Sequence, residues 1–114
     1  MRKFTLFASL VLGSSALLAA DISGTWSANV VLDVGSGAAT FVFKQSGEAL
    51  SGTYTGMFGE AKVTGTVKDN QLEWRFEIGE VGKVSYNGTL DGARIKGTVE
   101  YGALGKGTFS AEKK

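Results

Sequence analysis

KVSYNGTLDGARIKGTVEYGALGKGTF, residues 83–109, carries one short unit three times: Gly-Thr followed by a large apolar residue, at Gly88-Thr89-Leu90, Gly97-Thr98-Val99 and Gly107-Thr108-Phe109. Units about ten residues apart have the spacing of successive β-strands and turns. The same unit stands upstream at Gly24-Thr25-Trp26, Gly52-Thr53-Tyr54 and Gly65-Thr66-Val67. The chain from Asp21 onward therefore reads as one meander of strands.

Apolar and polar residues alternate along each strand, and in a strand alternate residues face opposite sides of the sheet. One face takes Trp26, Ala28, Val30 and Leu32 in the first strand, Phe41 and Phe43 in the second, and Leu50, Gly52 and Tyr54 in the third. It takes Ala61, Val63, Gly65 and Val67 in the fourth, and Leu72, Trp74, Phe76 and Ile78 in the fifth. Val84, Tyr86, Gly88 and Leu90 follow, then Ala93, Ile95, Gly97, Val99 and Tyr101, then Gly107, Phe109 and Ala111. The short turns agree in parity. Asp91-Gly92 as a two-residue turn pairs Leu90 with Ala93, Asp69-Asn70 pairs Lys68 with Gln71, and Ser46-Gly47 pairs Gln45 with Glu48. A slip of one residue would turn a whole strand inside out.

Eight antiparallel strands in sequence leave two edges as an open sheet and none as a barrel, so the expected fold is all-β, a single eight-stranded up-and-down barrel. The glycines on the inward face let strands coil and make room for rings opposite. A two-sheet sandwich is the alternative architecture. An eight-stranded barrel either fills with its own side chains or holds one small ligand.

In a meander, alternate connections lie at the same end. Ser46-Gly47, Asp69-Asn70 and Asp91-Gly92 share one end and are tight and polar. The other end has four connections read as longer: residues 33–37, 56–60, 79–82 and 102–105. Apolar residues at these tips, Met57, Phe58, Val81 and Leu104, either fold over the mouth or meet another molecule.

The leader has its own signature. Residues 1–20, MRKFTLFASLVLGSSALLAA, place Arg2 and Lys3 before an apolar run and small residues before Asp21, the pattern of a secretory signal peptide. The expected organisation is a signal peptide at 1–20 and a barrel domain at 21–114, exported to the periplasm or beyond. No integral membrane segment is expected after cleavage. Loss of Arg2 and Lys3 turns the net charge from +1 to −1, which argues against a nucleic-acid surface.

The chain has no His and no Cys, so the usual general base, a thiolate nucleophile and most metal ligands are missing. No carboxylate stands on an inward position to serve as a buried acid. The expectation is a protein that is not an enzyme and uses neither metal nor cofactor. Inward Tyr54, Tyr86 and Tyr101 carry the main hydrogen-bonding groups.

Ser23-Gly24-Thr25-Trp26, Leu50 to Tyr54, Leu72 to Phe76, Asp91 to Ile95 and Thr108-Phe109 fall in the order seen in avidin-like, calycin-type barrels, which the chain resembles over nearly all of residues 21–114. It also resembles small exported bacterial β-barrel domains of unassigned function. The avidin resemblance implies a ligand site at one mouth, with Tyr54 and Trp74 matching ligand-contacting aromatics and Tyr86 at a Trp position. Its polar biotin contacts do not carry over. Ala28, Leu32, Gly56, Val84, Val99 and Gly107 stand at those positions, so tight biotin binding is not expected. Together these readings point to a binding barrel for a small, mainly apolar ligand, with Tyr54, Trp74, Tyr86, Tyr101, Met57, Phe58, Val81 and Leu104 as its site. A protein-interaction module or inhibitor of a secreted enzyme, acting through the apolar tips, is the alternative.

Overall fold

The computed structural model describes residues 21–114; the expected signal peptide lies outside the described residues. The strands are β1 (Gly24–Leu32), β2 (Gly35–Ser46), β3 (Ala49–Gly56), β4 (Gly59–Lys68), β5 (Gln71–Ile78), β6 (Gly82–Asp91), β7 (Arg94–Tyr101) and β8 (Lys106–Lys113). A short 3₁₀ turn, Gly102–Leu104, lies between the last two. Each strand pairs antiparallel with its neighbours in sequence, and β1 pairs with β8 from Trp26↔Lys113 to Leu32↔Gly107. The sheet is a closed barrel. Closure gives the outermost strands of the meander backbone partners that an open sheet would leave to solvent.

The period-two pattern sets the faces. In β5, Leu72, Trp74, Phe76 and Ile78 are buried while Gln71, Glu73, Arg75 and Glu77 are exposed. Every residue expected to face inward is at least half-buried except Ala93, which lies exposed in the turn after β6. The interior is filled by its own rings. Phe41 sits at the centre, its ring 5.1 Å from Tyr86, 5.4 Å from Trp74, 5.5 Å from Phe43, 5.6 Å from Tyr54 and 5.9 Å from Phe76. Tyr54 stacks on Phe76 and Trp74 on Tyr86.

The repeated glycines allow neighbouring strands to approach closely. A Cβ built on Gly97 would fall on the Asn87 carbonyl oxygen of β6, and one on Gly65 would fall on the Glu73 carbonyl oxygen of β5. The Gly-Thr repeat is thus a packing device. At Gly52, Gly65, Gly97 and Gly107 the adjacent backbone occupies the place of a side chain, and at Gly88 the Ile95 and Phe109 side chains do, which lets the sheet bend around its rings.

Two turns differ from their expected register. The turn after β2 is Gly47-Glu48, with Ser46↔Ala49 as the closing pair, and the turn after β6 is Gly92-Ala93, with Asp91↔Arg94. Gly47 and Gly92 have φ of 61° and 64°. The positive φ falls on the first central residue, so Gly opens each turn instead of ending it, as in Gly-first hairpin turns. Leu90 consequently pairs with Ile95, and Phe43 with Gly52. Asp69-Asn70 is placed as expected, with Lys68↔Gln71, and Asp69 takes a φ of 56°. Since both displaced turns move the register by an even number, the faces are preserved.

The base of the barrel is plugged by Ile22, which is fully buried. Trp26 Nε1 donates to the Ile22 carbonyl at 2.9 Å, the Ile22 N–H donates to Gln45 Oε1 at 2.8 Å, and the Gln45 N–H donates to Ser23 Oγ at 3.0 Å. Those bonds satisfy the polar groups of the plug. At the opposite end, β4 and β5 separate early. Their ladder runs only from Lys68↔Gln71 to Thr64↔Arg75, although β4 continues to Gly59 along β3 and β5 continues to Ile78 along β6.

Candidate functional site

The two ends differ less in loop length than the sequence suggests. Asp33-Val34 and Met57-Phe58 are two-residue turns, closed by Leu32↔Gly35 and Gly56↔Gly59, because the glycines beside them pair as strand residues. The connections at 33–37 and 56–60 are therefore short. The connection at 102–105 forms the 3₁₀ turn, held to its neighbour by the Ala103 N–H donating to the Val81 carbonyl at 3.1 Å. Tyr101 N–H donates to the Gly105 carbonyl at 2.7 Å across the same turn.

What distinguishes the mouth is composition. A cleft of about 260 Å³ opens between the tips of the first two mouth hairpins and the 3₁₀ turn, lined by Val30, Leu32, Val34, Gly35, Ser36, Gly37, Ala38, Tyr54, Met57, Phe58, Tyr101 and Leu104. No charged side chain is among them. Met57 lies over Gly37, its sulfur 3.3 Å from where a Cβ would stand. Met57 and Val34 are 71% and 69% exposed, whereas Phe58, Val81 and Leu104 are partly buried against the core. Phe58 leans on Tyr101, ring centroids 6.1 Å apart. Beyond Phe58 and Leu104 a second hollow of about 440 Å³ continues over Ile78, Val81 and Ala103. These two residues form the ridge between the hollows.

The expected site residues thus separate by depth. Tyr54, Tyr101, Met57, Phe58 and Leu104 border the cleft, and Val81 borders the adjoining hollow. Trp74 and Tyr86 are fully buried in mid-strand among Phe41 and Phe109, and do not line the cleft. Val34 joins the site as an exposed apolar tip. Its signal was available in the sequence, as an apolar residue beside Asp33 in a connection.

The hydroxyls of Tyr86 and Tyr101 hydrogen-bond to each other. Burial raises the Tyr86 phenol well above its ordinary value, and the Tyr101 hydroxyl beside it adds to the rise. Burial likewise pushes Tyr101 up to about 12, partly offset by its bond with Tyr86. Tyr54 is also raised by burial, with the Phe58 backbone amide acting against the rise. All three phenols are therefore neutral hydrogen-bonding groups near neutral pH. The Tyr54 hydroxyl accepts from the Phe58 backbone amide, whereas among the described residues buried Trp74 Nε1 has no partner.

A larger depression, about 800 Å³, lies on the outer wall where β4 and β5 separate, with Lys62, Arg75, Glu77, Lys83, Glu100 and Lys106 around it. Four of these are cations and two are carboxylates. Arg75 pairs with Glu73 at 3.1 Å and Lys106 with Glu100 at 3.7 Å, all well exposed. Such pairs contribute little and describe a solvated surface. Among the described residues no buried charged side chain and no cluster of metal-ligating side chains occurs.

No protein-family model matches the sequence, and no curated protein matches it. The established statement is the fold: a closed eight-stranded antiparallel barrel with a buried aromatic core.

Proposed function

We propose that the domain is an exported, non-catalytic binding barrel, avidin-like in architecture and closest in character to small exported bacterial β-barrel domains, that takes a small and mainly apolar ligand at its mouth. The observation that carries this reading is the uncharged cleft beside Tyr54 and Tyr101. Its 260 Å³ exceeds the roughly 150 Å³ of an apolar cavity that accepts benzene, and lies below the usual size of drug-sized pockets. The ligand belongs at the mouth because the rings around Phe41 occupy the interior. Phe58 and Leu104, on the ridge between two hollows, act as an adaptable cover. Trp74 and Tyr86 form the wall behind Tyr101. Neutral phenols and the absence of His and Cys favour binding over catalysis.

A second reading, docking of a protein partner, is favoured by one observation: Val34 and Met57 flank the same cleft and are both largely exposed. Isolated apolar tips are common, but two on adjacent hairpins make an anchor.

Native mass spectrometry of protein isolated from its own host tests both. The expected spectrum shows the processed chain carrying an added small mass, lost in the Phe58→Ser/Leu104→Ser double variant. That variant should cost about 1–3 kcal/mol in stability, because both side chains are only partly buried. A copurifying protein in place of the small mass supports docking. A bare mass from wild-type and variant alike contradicts the ligand reading.

A further inference from the structure

We infer that the mouth cleft discriminates by charge, admitting uncharged molecules with an apolar body and rejecting the carboxylate and ammonium forms of the same size. This rests on the ligand reading above and adds the class of molecule.

The inference comes from what surrounds the space. Its lining is aliphatic, aromatic or glycine, apart from Ser36 and the two phenols, and contributes no cation and no carboxylate. A carboxylate entering it would shed water and meet no positive partner, and an ammonium would meet no negative one. An isolated ion placed in apolar surroundings is strongly disfavoured, while one hydroxyl or carbonyl costs far less and is readily satisfied by a single donor. A donor of that kind is present. Tyr54 is 1% exposed and borders the cleft, and its hydroxyl, which accepts from the Phe58 backbone amide, keeps its own proton to donate. Gly56 makes room for it, since a Cβ there would collide with the hydroxyl oxygen. The tips do not relieve an anion either. Asp33 adjoins Val34 and Glu60 lies two residues beyond Phe58, while Lys106 lies two residues beyond Leu104, and none of the three lines the cleft.

Raised phenol pKa values fit this selection. Tyr54 and Tyr101 remain uncharged through the neutral range, so the cleft does not acquire an anion of its own.

The test is a titration of the ¹⁵N-labelled processed chain at neutral pH with 1-hexanol, hexanoate, hexylamine and benzene, read by amide chemical shifts. The expected result is saturable shifts at Val34, Met57, Phe58 and Leu104 with hexanol and benzene, with hexanoate and hexylammonium at least about tenfold weaker. Val34→Lys, a change at an exposed turn residue, should then improve hexanoate binding without loss of the barrel spectrum. Hexanoate or hexylammonium binding as tightly as hexanol at these residues overturns the charge selection and leaves the ligand reading standing. If none of the four, benzene included, moves a mouth amide, both the selection and the ligand reading fail.

Discussion

Gly97→Ala is expected to destabilise the barrel by about 3 kcal/mol or more, at or above the upper end of ordinary overpacking. The added Cβ would overlap the Asn87 carbonyl oxygen and crowd the Gly88 Cα, so relief requires β6 and β7 to move apart. No flexible side chain can give way instead. A domain of this size has roughly 5–15 kcal/mol of stability in all, so the variant should melt much earlier or fail to fold. Thr98→Ala, exposed on the same strand, serves as the control and should stay within about 0.5 kcal/mol. Urea denaturation followed by far-ultraviolet circular dichroism measures both. Equal midpoints for the two variants would contradict the close approach of β6 and β7.

Phe41→Ala should cost roughly 3–5 kcal/mol, the range for removing a buried aromatic side chain. Phe41 is inaccessible and has five aromatic rings within 6 Å, two of them edge-on. Its loss leaves a hole at the point where those rings converge. Phe41→Leu fills part of the space and should recover more than half of the loss. A cost for Phe41→Ala below about 1 kcal/mol would mean that the interior is loosely packed and could itself receive a ligand.

The strand faces were legible because a period of two is a local property: Leu72, Trp74, Phe76 and Ile78 needed only their own neighbours to be placed inward. Turn position was less legible. Asp91-Gly92 and Ser46-Gly47 read naturally as turns ending in Gly, whereas the backbone uses the positive φ of Gly92 and Gly47 at the first turn position. The connections at 33–37 and 56–60 looked long because Gly35, Gly37, Gly56 and Gly59 resemble loop residues, yet all four pair in strands. Ile22 carries no legible signal for a related reason. A single apolar residue between Asp21 and Ser23 has no period, and its burial depends on Gln45 and Trp26, distant in sequence.

Site residues were legible in direction but not in depth. Alternation places Trp74, Tyr86, Tyr54 and Tyr101 inside, and says nothing about how high each stands in the barrel. Tyr101 ends β7 and Tyr54 stands two residues before the end of β3, so both reach the mouth; Trp74 and Tyr86 lie in mid-strand and reach the core. Distance from the tip, counted along the strand, would have separated them. The early parting of β4 and β5 left no such trace, since the alternation continues through Ala61, Val63, Phe76 and Ile78 on strands that have ceased to pair with each other.

The central claim is that the interior is filled and that the apolar space open to a ligand lies at the mouth. Xenon enters apolar cavities large enough to hold it, without needing a polar partner. Methyl spectra of the processed chain under xenon pressure therefore locate the space directly. The account predicts saturable shifts at Val34, Met57 and Leu104, and none at Val67, Leu72 or Leu90 near the base. Saturable shifts among the base residues, with the mouth methyls unmoved, would contradict it.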